Sequence, residues 1–291
     1  MHAAPSLIFF TVFSGLGFGL LTFLGAGLIM PTGWAAFFWF GLGYGLALAG
    51  LAASSFHLGH PERALKAFSQ WRTSWLSREA VLAVAALLFM APHAAALTFL
   101  GLPAEGFGML GAFLSLMTVL ATSMIYASLN TVPRWNHWTT PLAFLLAALT
   151  GAALLAGIVP LAQLLLAWLA LALVAHWLLG DLRFHAAGST TETATGLGDR
   201  GAVRLLEAPH SGQNYVTREM VHVVARRHAV KLRVLALAGA TIAPALLLWL
   251  FPTAIPALIL ALVLHVAGML AARWLFFAEA EHVVSLYYGR D

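Results

Sequence analysis

The chain has no cysteine, which excludes disulfides, c-type haem attachment and any thiolate-held iron–sulfur cluster on this polypeptide. Charge is almost as scarce. Asp, Glu, Lys and Arg make up 9% of the 291 residues against 61% hydrophobic ones, and no soluble layering can cover that much apolar surface. If electrons pass through this protein, other molecules must carry them.

What fills the sequence instead is a series of apolar runs near 6–29, 34–56, 80–100, 107–129, 141–159, 161–179, 232–251 and 255–277. A hydrocarbon core about 30 Å thick needs roughly 20 apolar residues per helix. The pattern predicts an all-α integral membrane protein, a single membrane domain over 1–291 with eight transmembrane helices in a bundle. No Lys or Arg precedes the first run, which is longer than the apolar part of a signal peptide, so it reads as a retained helix.

With eight spans the termini and every second connection share one side. That side collects the basic residues, whereas the short connections opposite hold one charge, Glu105. Positive-inside bias then predicts both termini in the cytoplasm. Two polar segments lie on this side. One is the 57–79 loop, HLGHPERALKAFSQWRTSWLSRE; the other, 181–233, reads as a docking loop, its second half helical from a cap at Asn214 or Thr217. Arg72, Arg134, Arg204, Arg226 and Arg227 are the candidate docking residues for a soluble partner.

His57 and Glu79 bracket the first segment where helices meet the headgroup layer. Oxidising a quinol releases two protons and two electrons, so its site needs a proton acceptor near each ring oxygen beside an apolar slot. Imidazole and a partly buried carboxylate suit that task. Arg63 or Arg78 would orient the carboxylate or polarise a ring oxygen. Glu279, with His282 and Tyr287, would face the same layer if the last span continues as an amphipathic helix. The plainer reading has His57 capping the second span, Glu79 capping the third through Ser77 or Trp75, and the arginines meeting headgroups.

Three other chemistries compete. His93, His176 and His265 lie inside apolar runs, where two facing histidines would hold a b-type haem, although buried packing histidines look the same. Glu219 with His222, and Glu279 with His282, have the spacing of di-iron ligands, but Glu62 and Glu79 do not clearly supply the further carboxylates. A transporter would need polar residues on broken helices at mid-membrane, and Pro244 is the one candidate break. No metal is assigned to the chain.

The runs HLGHPERA and SWLSRE, the segments TATGLG, NYVTREM and RRHAVKLR, and the ending RWLFFAEAEHVVSLYYG resemble the membrane anchor subunit of dimethyl sulfoxide reductase-type molybdoenzymes. The resemblance implies an eight-helix anchor without haem in the bacterial inner membrane. Such an anchor passes electrons between menaquinol or ubiquinol and an iron–sulfur subunit, which serves a molybdopterin subunit. It also implies a quinol role for the histidine of the HLG motif, here His57, and for the glutamate ending S-x-x-S-x-E, here Glu79. The 181–233 segment looks closer to the anchors of cytoplasmic sulfite dehydrogenases, leaving the direction of electron flow open.

Overall fold

The helix at the centre of the bundle is α1 (Pro5–Gly25), which carries no charge and is covered by protein over most of its length. Its polar side chains bond back to its own backbone: Thr11 Oγ1 donates to the Leu7 and Ile8 carbonyls, Ser14 to Phe10 and Thr22 to Phe18. These hydroxyls therefore enter the apolar interior without the cost of an unmade hydrogen bond. The computed structural model that shows this describes residues 4–56, 61–204, 206–207 and 228–288.

Around α1 stand α2 (Gly33–Ser55), α3 (Trp75–Ala95, continued by a π-turn through Leu100), α4 (Glu105–Ala127), α5 (Thr139–Leu155), α6 (Val159–Ala186), α8 (Ala229–Leu250) and α9 (Ile255–Ala278). A short helix, α7 (Thr191–Thr195), lies between α6 and α8. Among the described residues all regular structure is helical, and seven helices are long and apolar enough to cross a membrane. The remaining apolar helix, α5, has 17 residues, about 26 Å at 1.5 Å per residue, and is buried along most of its length.

Helix boundaries differ from the hydropathy pattern where local chemistry intervenes. α5 stops early because Gly157 turns the chain with φ +68°. α6 runs to Ala186, well beyond the predicted end at 179, so Asp181 and Arg183 lie in its last turns and not in the 181–233 loop. At 28 residues it is about 42 Å long, which carries those charges past a 30 Å apolar layer. α8 starts at Ala229, and the expected cap at Asn214 or Thr217 lies outside the described residues. α9 ends at Ala278, with Glu279 as its cap, and a separate 3₁₀ segment, Val283–Tyr288, follows. The expected continuous amphipathic helix is therefore broken at Glu279.

Small residues set the closest crossings, as expected where lipid leaves helices to associate by packing. A side chain on Gly17 would strike the α2 backbone at Ala47, and one on Gly50 would strike the α1 backbone at Ser14. Away from this crossing α2 carries exposed Trp34, Phe38 and Leu48.

Candidate functional site

Glu79 is inside a helix, not at the end of a loop. α3 begins at Trp75, five residues before the apolar run, because Ser74 is extended and Ser77 Oγ donates to the Ala67 carbonyl, tying the 3₁₀ turn Pro61–Phe68 to the helix start. One turn later the Glu79 carboxylate points inward and is 4% exposed. The Thr122 hydroxyl on α4 donates to its Oε1. Neither Ser77 nor Trp75 makes it a helix cap; it is a buried carboxylate held by a neighbouring helix.

Two further polar residues, which hydropathy alone passed over, complete this region. Tyr126, one turn beyond Thr122, is buried, and its ring packs 5.8 Å from that of Phe144. Arg273 comes from α9, is 5% exposed, and sets its guanidinium carbon 3.4 Å from the centre of the Phe144 ring. A cation on an aromatic face is attracted by the ring quadrupole, most strongly where water is excluded. A cavity of about 20 Å³ is lined by Arg273 and Thr122 together with Thr11, Ser14 and His265. A lone arginine within an apolar run was the signal available in the sequence; by position alone it reads as approaching the span end.

The other candidates are dispersed. His57 lies outside the described residues, as does the Arg63 side chain. Arg78 is occupied elsewhere: Nε donates to the Trp71 carbonyl at 3.1 Å, Nη2 to the Arg72 carbonyl at 2.7 Å, and the guanidinium covers the Trp75 ring at 4.3 Å. It braces the loop and makes no bond to Glu79. Glu279, 4% exposed, accepts from Arg233 Nε at 2.8 Å and faces Arg134 Nη1 at 3.8 Å. Both arginines also hold Asp181, Arg134 at 2.5 Å and Arg233 at 2.7 Å.

Arg134, expected on the docking surface, is therefore enclosed in this four-residue network. Arg72 and Arg204 are exposed as expected, and Arg226 and Arg227 lie outside the described residues. His282 Nδ1 accepts from the Val284 N–H, and Tyr287 donates to the Ala194 carbonyl, fastening the C-terminal segment to α7.

The three buried histidines each serve a local bond. His93 Nδ1 lies 3.1 Å from the Ala104 carbonyl, His176 Nδ1 lies 3.0 Å from Thr139 Oγ1, and His265 Nδ1 lies 2.7 Å from the Ala240 carbonyl. His137, between α4 and α5, contacts the same Thr139 hydroxyl, and burial with Arg183 nearby holds its imidazole below the usual histidine range. Among the described residues no group of three or more His, Asp or Glu is placed to hold a metal ion. The Glu219 and His222 pair is outside them, and Glu279 and His282 are separated by the end of α9.

With this buried carboxylate in place, comparison with known proteins is decisive for the family: the pattern of the DMSO reductase anchor subunit (DmsC) matches residues 1–289. The chain belongs to the dimethyl sulfoxide reductase anchor subunit family. This anchor is thus a multi-pass membrane protein. It is also 32% identical to the C subunit of the sulfite dehydrogenase of Allochromatium vinosum, over 99% of each chain. No solved structure matches the anchor significantly.

Proposed function

We propose that this anchor exchanges electrons between the quinone pool and an iron–sulfur subunit, which in turn serves a molybdopterin subunit, as in a dimethyl sulfoxide reductase or sulfite dehydrogenase complex. The observation that carries the reading is Glu79: a carboxylate buried in the second turn of α3, held by Thr122, and directly following the polar 57–74 stretch. A carboxylate so placed can take up a proton from a quinol bound beside it. The reading keeps eight spans, with α5 as the shortest, and both termini in the cytoplasm of a bacterial inner membrane, where the basic surface that includes Arg72 and Arg204 meets the partners.

Menaquinol or ubiquinol, when bound, supplies two electrons and two protons on oxidation. Glu79 takes one proton at its carboxylate and His57 takes the other, with Arg63 as the remaining orienting cation; the electrons leave to the iron–sulfur partner. Run in reverse, the same groups return protons to a quinone. Glu79 sits near the cytoplasmic end of α3, so proton exchange is with the cytoplasm and turnover moves no net charge across the membrane.

The test is Glu79→Gln in the assembled complex. Quinol-linked turnover falls about a hundredfold or more, the usual worth of a proton-transferring group, while assembly and activity with an artificial donor that bypasses the anchor persist. Equal loss of both activities would make Glu79 structural and sink the assignment.

A further inference from the structure

The start of α5 fixes the direction of a buried hydrogen-bond chain. The first N–H groups of a helix have no partner inside it, and here the Thr139 N–H donates to His137 Nδ1 at 3.4 Å. That nitrogen is therefore an acceptor and carries no proton. The Thr139 hydroxyl, 3.0 Å from the same nitrogen, must donate to it as well, which leaves its lone pairs for His176 Nδ1, also 3.0 Å away. His176 Nδ1 thus holds the ring proton. A second proton on this ring would set two buried cations, His176 and Arg273, on one small cavity, so the imidazole is neutral and its Nε2 is an acceptor.

His176 Nε2 is buried and meets no protein donor. Its side chain lines a cavity of about 10 Å³ together with Arg273 and Thr140. Arg273 Nε is also buried without a partner, but it is a donor. The Thr140 hydroxyl gives its proton to the Trp135 carbonyl at 2.8 Å, so its lone pairs are left to accept. One donor and two acceptors therefore border a space whose other walls, among them Phe144, Leu173 and Phe276, are apolar. The rings hold the polar groups in place: the Arg273 guanidinium carbon lies 3.4 Å from the Phe144 centre, and His176 stacks on Phe276 at 5.6 Å. Buried polar atoms left without partners cost stability, and native interiors rarely keep them so.

We propose that this cavity is a binding site for a single water molecule, which accepts from Arg273 Nε and donates to His176 Nε2 and Thr140 Oγ1. A cavity of roughly this size, about one water probe sphere, takes one water, and a buried water makes about three hydrogen bonds. The direction of the bonds sets the chemical class. Chloride or a carboxylate would satisfy Arg273 but has no proton to give Nε2, and a cation would be repelled by the guanidinium. With the water in place the chain runs from His137, in the connection before α5, through Thr139 and His176 to Arg273, and it ties α5, α6 and α9 together. The guanidinium is then served on its face by Phe144 and at its Nε by the water.

A cryo-electron microscopy map of the purified complex, at a resolution that shows ordered water, tests the site without any substitution. It shows one peak about 3 Å from Arg273 Nε, His176 Nε2 and Thr140 Oγ1. An empty cavity in a map that resolves other buried waters overturns the assignment. So does a peak that strengthens when bromide replaces chloride in the buffer, since that marks an anion and reverses the bond direction. His176→Phe, Thr140→Val and the double variant are then melted in parallel. Either single change removes a partner of the same water, so the double variant loses clearly less in Tm than the two losses added, whereas additive losses show that no water links the two residues. The Thr140 bond to Trp135 is lost in both arms of the comparison and cancels.

Discussion

His265 lies against the carbonyl that Pro244 leaves unpaired. A proline has no N–H to give the residue four positions back, and in α8 that residue is Ala240, whose carbonyl oxygen lies 2.7 Å from His265 Nδ1. The break is further absorbed by a π-turn, Ala238–Ile242. With its proton on Nδ1, His265 is the donor that replaces the missing one. The feature that suggested a broken transporter helix, and one histidine that suggested haem, thus account for each other.

His265→Leu should therefore destabilise the anchor by about 1–3 kcal/mol, the cost of a buried acceptor without a donor. Adding Pro244→Ala, which returns an N–H to α8, should recover part of that loss. Thermal melting of the purified complex measures both, and a double variant no better than the single one would show that His265 contributes through packing alone.

The Arg134, Asp181, Arg233 and Glu279 network should be unequal in its parts. Asp181 is 43% exposed, and Asp181→Asn should cost about 1 kcal/mol after allowance for solvent screening. Glu279 is 4% exposed, and Glu279→Gln leaves two cations facing a buried site, for a loss of about 3 kcal/mol. Denaturation of the two variants side by side checks the order.

At the α1–α2 crossing, Gly17→Val or Gly50→Val would drive a side chain into the backbone of the other helix, and the yield of folded anchor should collapse. Gly41→Ala and Gly45→Ala are the contrast, since nothing lies within 4 Å of the added methyl group. Detergent-solubilised yield by size-exclusion chromatography separates the pairs; a stable Gly50→Val variant would contradict the crossing described here.

Helices were legible in the sequence because apolar length is a direct consequence of membrane thickness. Their ends were less so. Asp181 looks like the start of a loop until Arg233, more than fifty positions later, is seen to hold it in a helix. Glu79 was legible as a candidate from its place beside the polar stretch and from the family motif, but its inward orientation depends on Thr122 of another helix. Arg273 was hidden by the habit of reading an arginine near a span end as facing headgroups, when the Phe144 face accommodates it inside. Arg134 and Glu279 were not legible as members of one ion-pair network, because their partners are distant in the chain.

The pairing of Asp181 with Arg233 also makes the stretch between α6 and α8 a closed handle whose two ends are clasped on the bundle. Once the ends are fixed, closing a loop twice as long costs only about 0.6 kcal/mol more. The clasp therefore makes a change of length between Asp181 and Arg233 cheap, because the added chain need not disturb the helices to which its ends are tied.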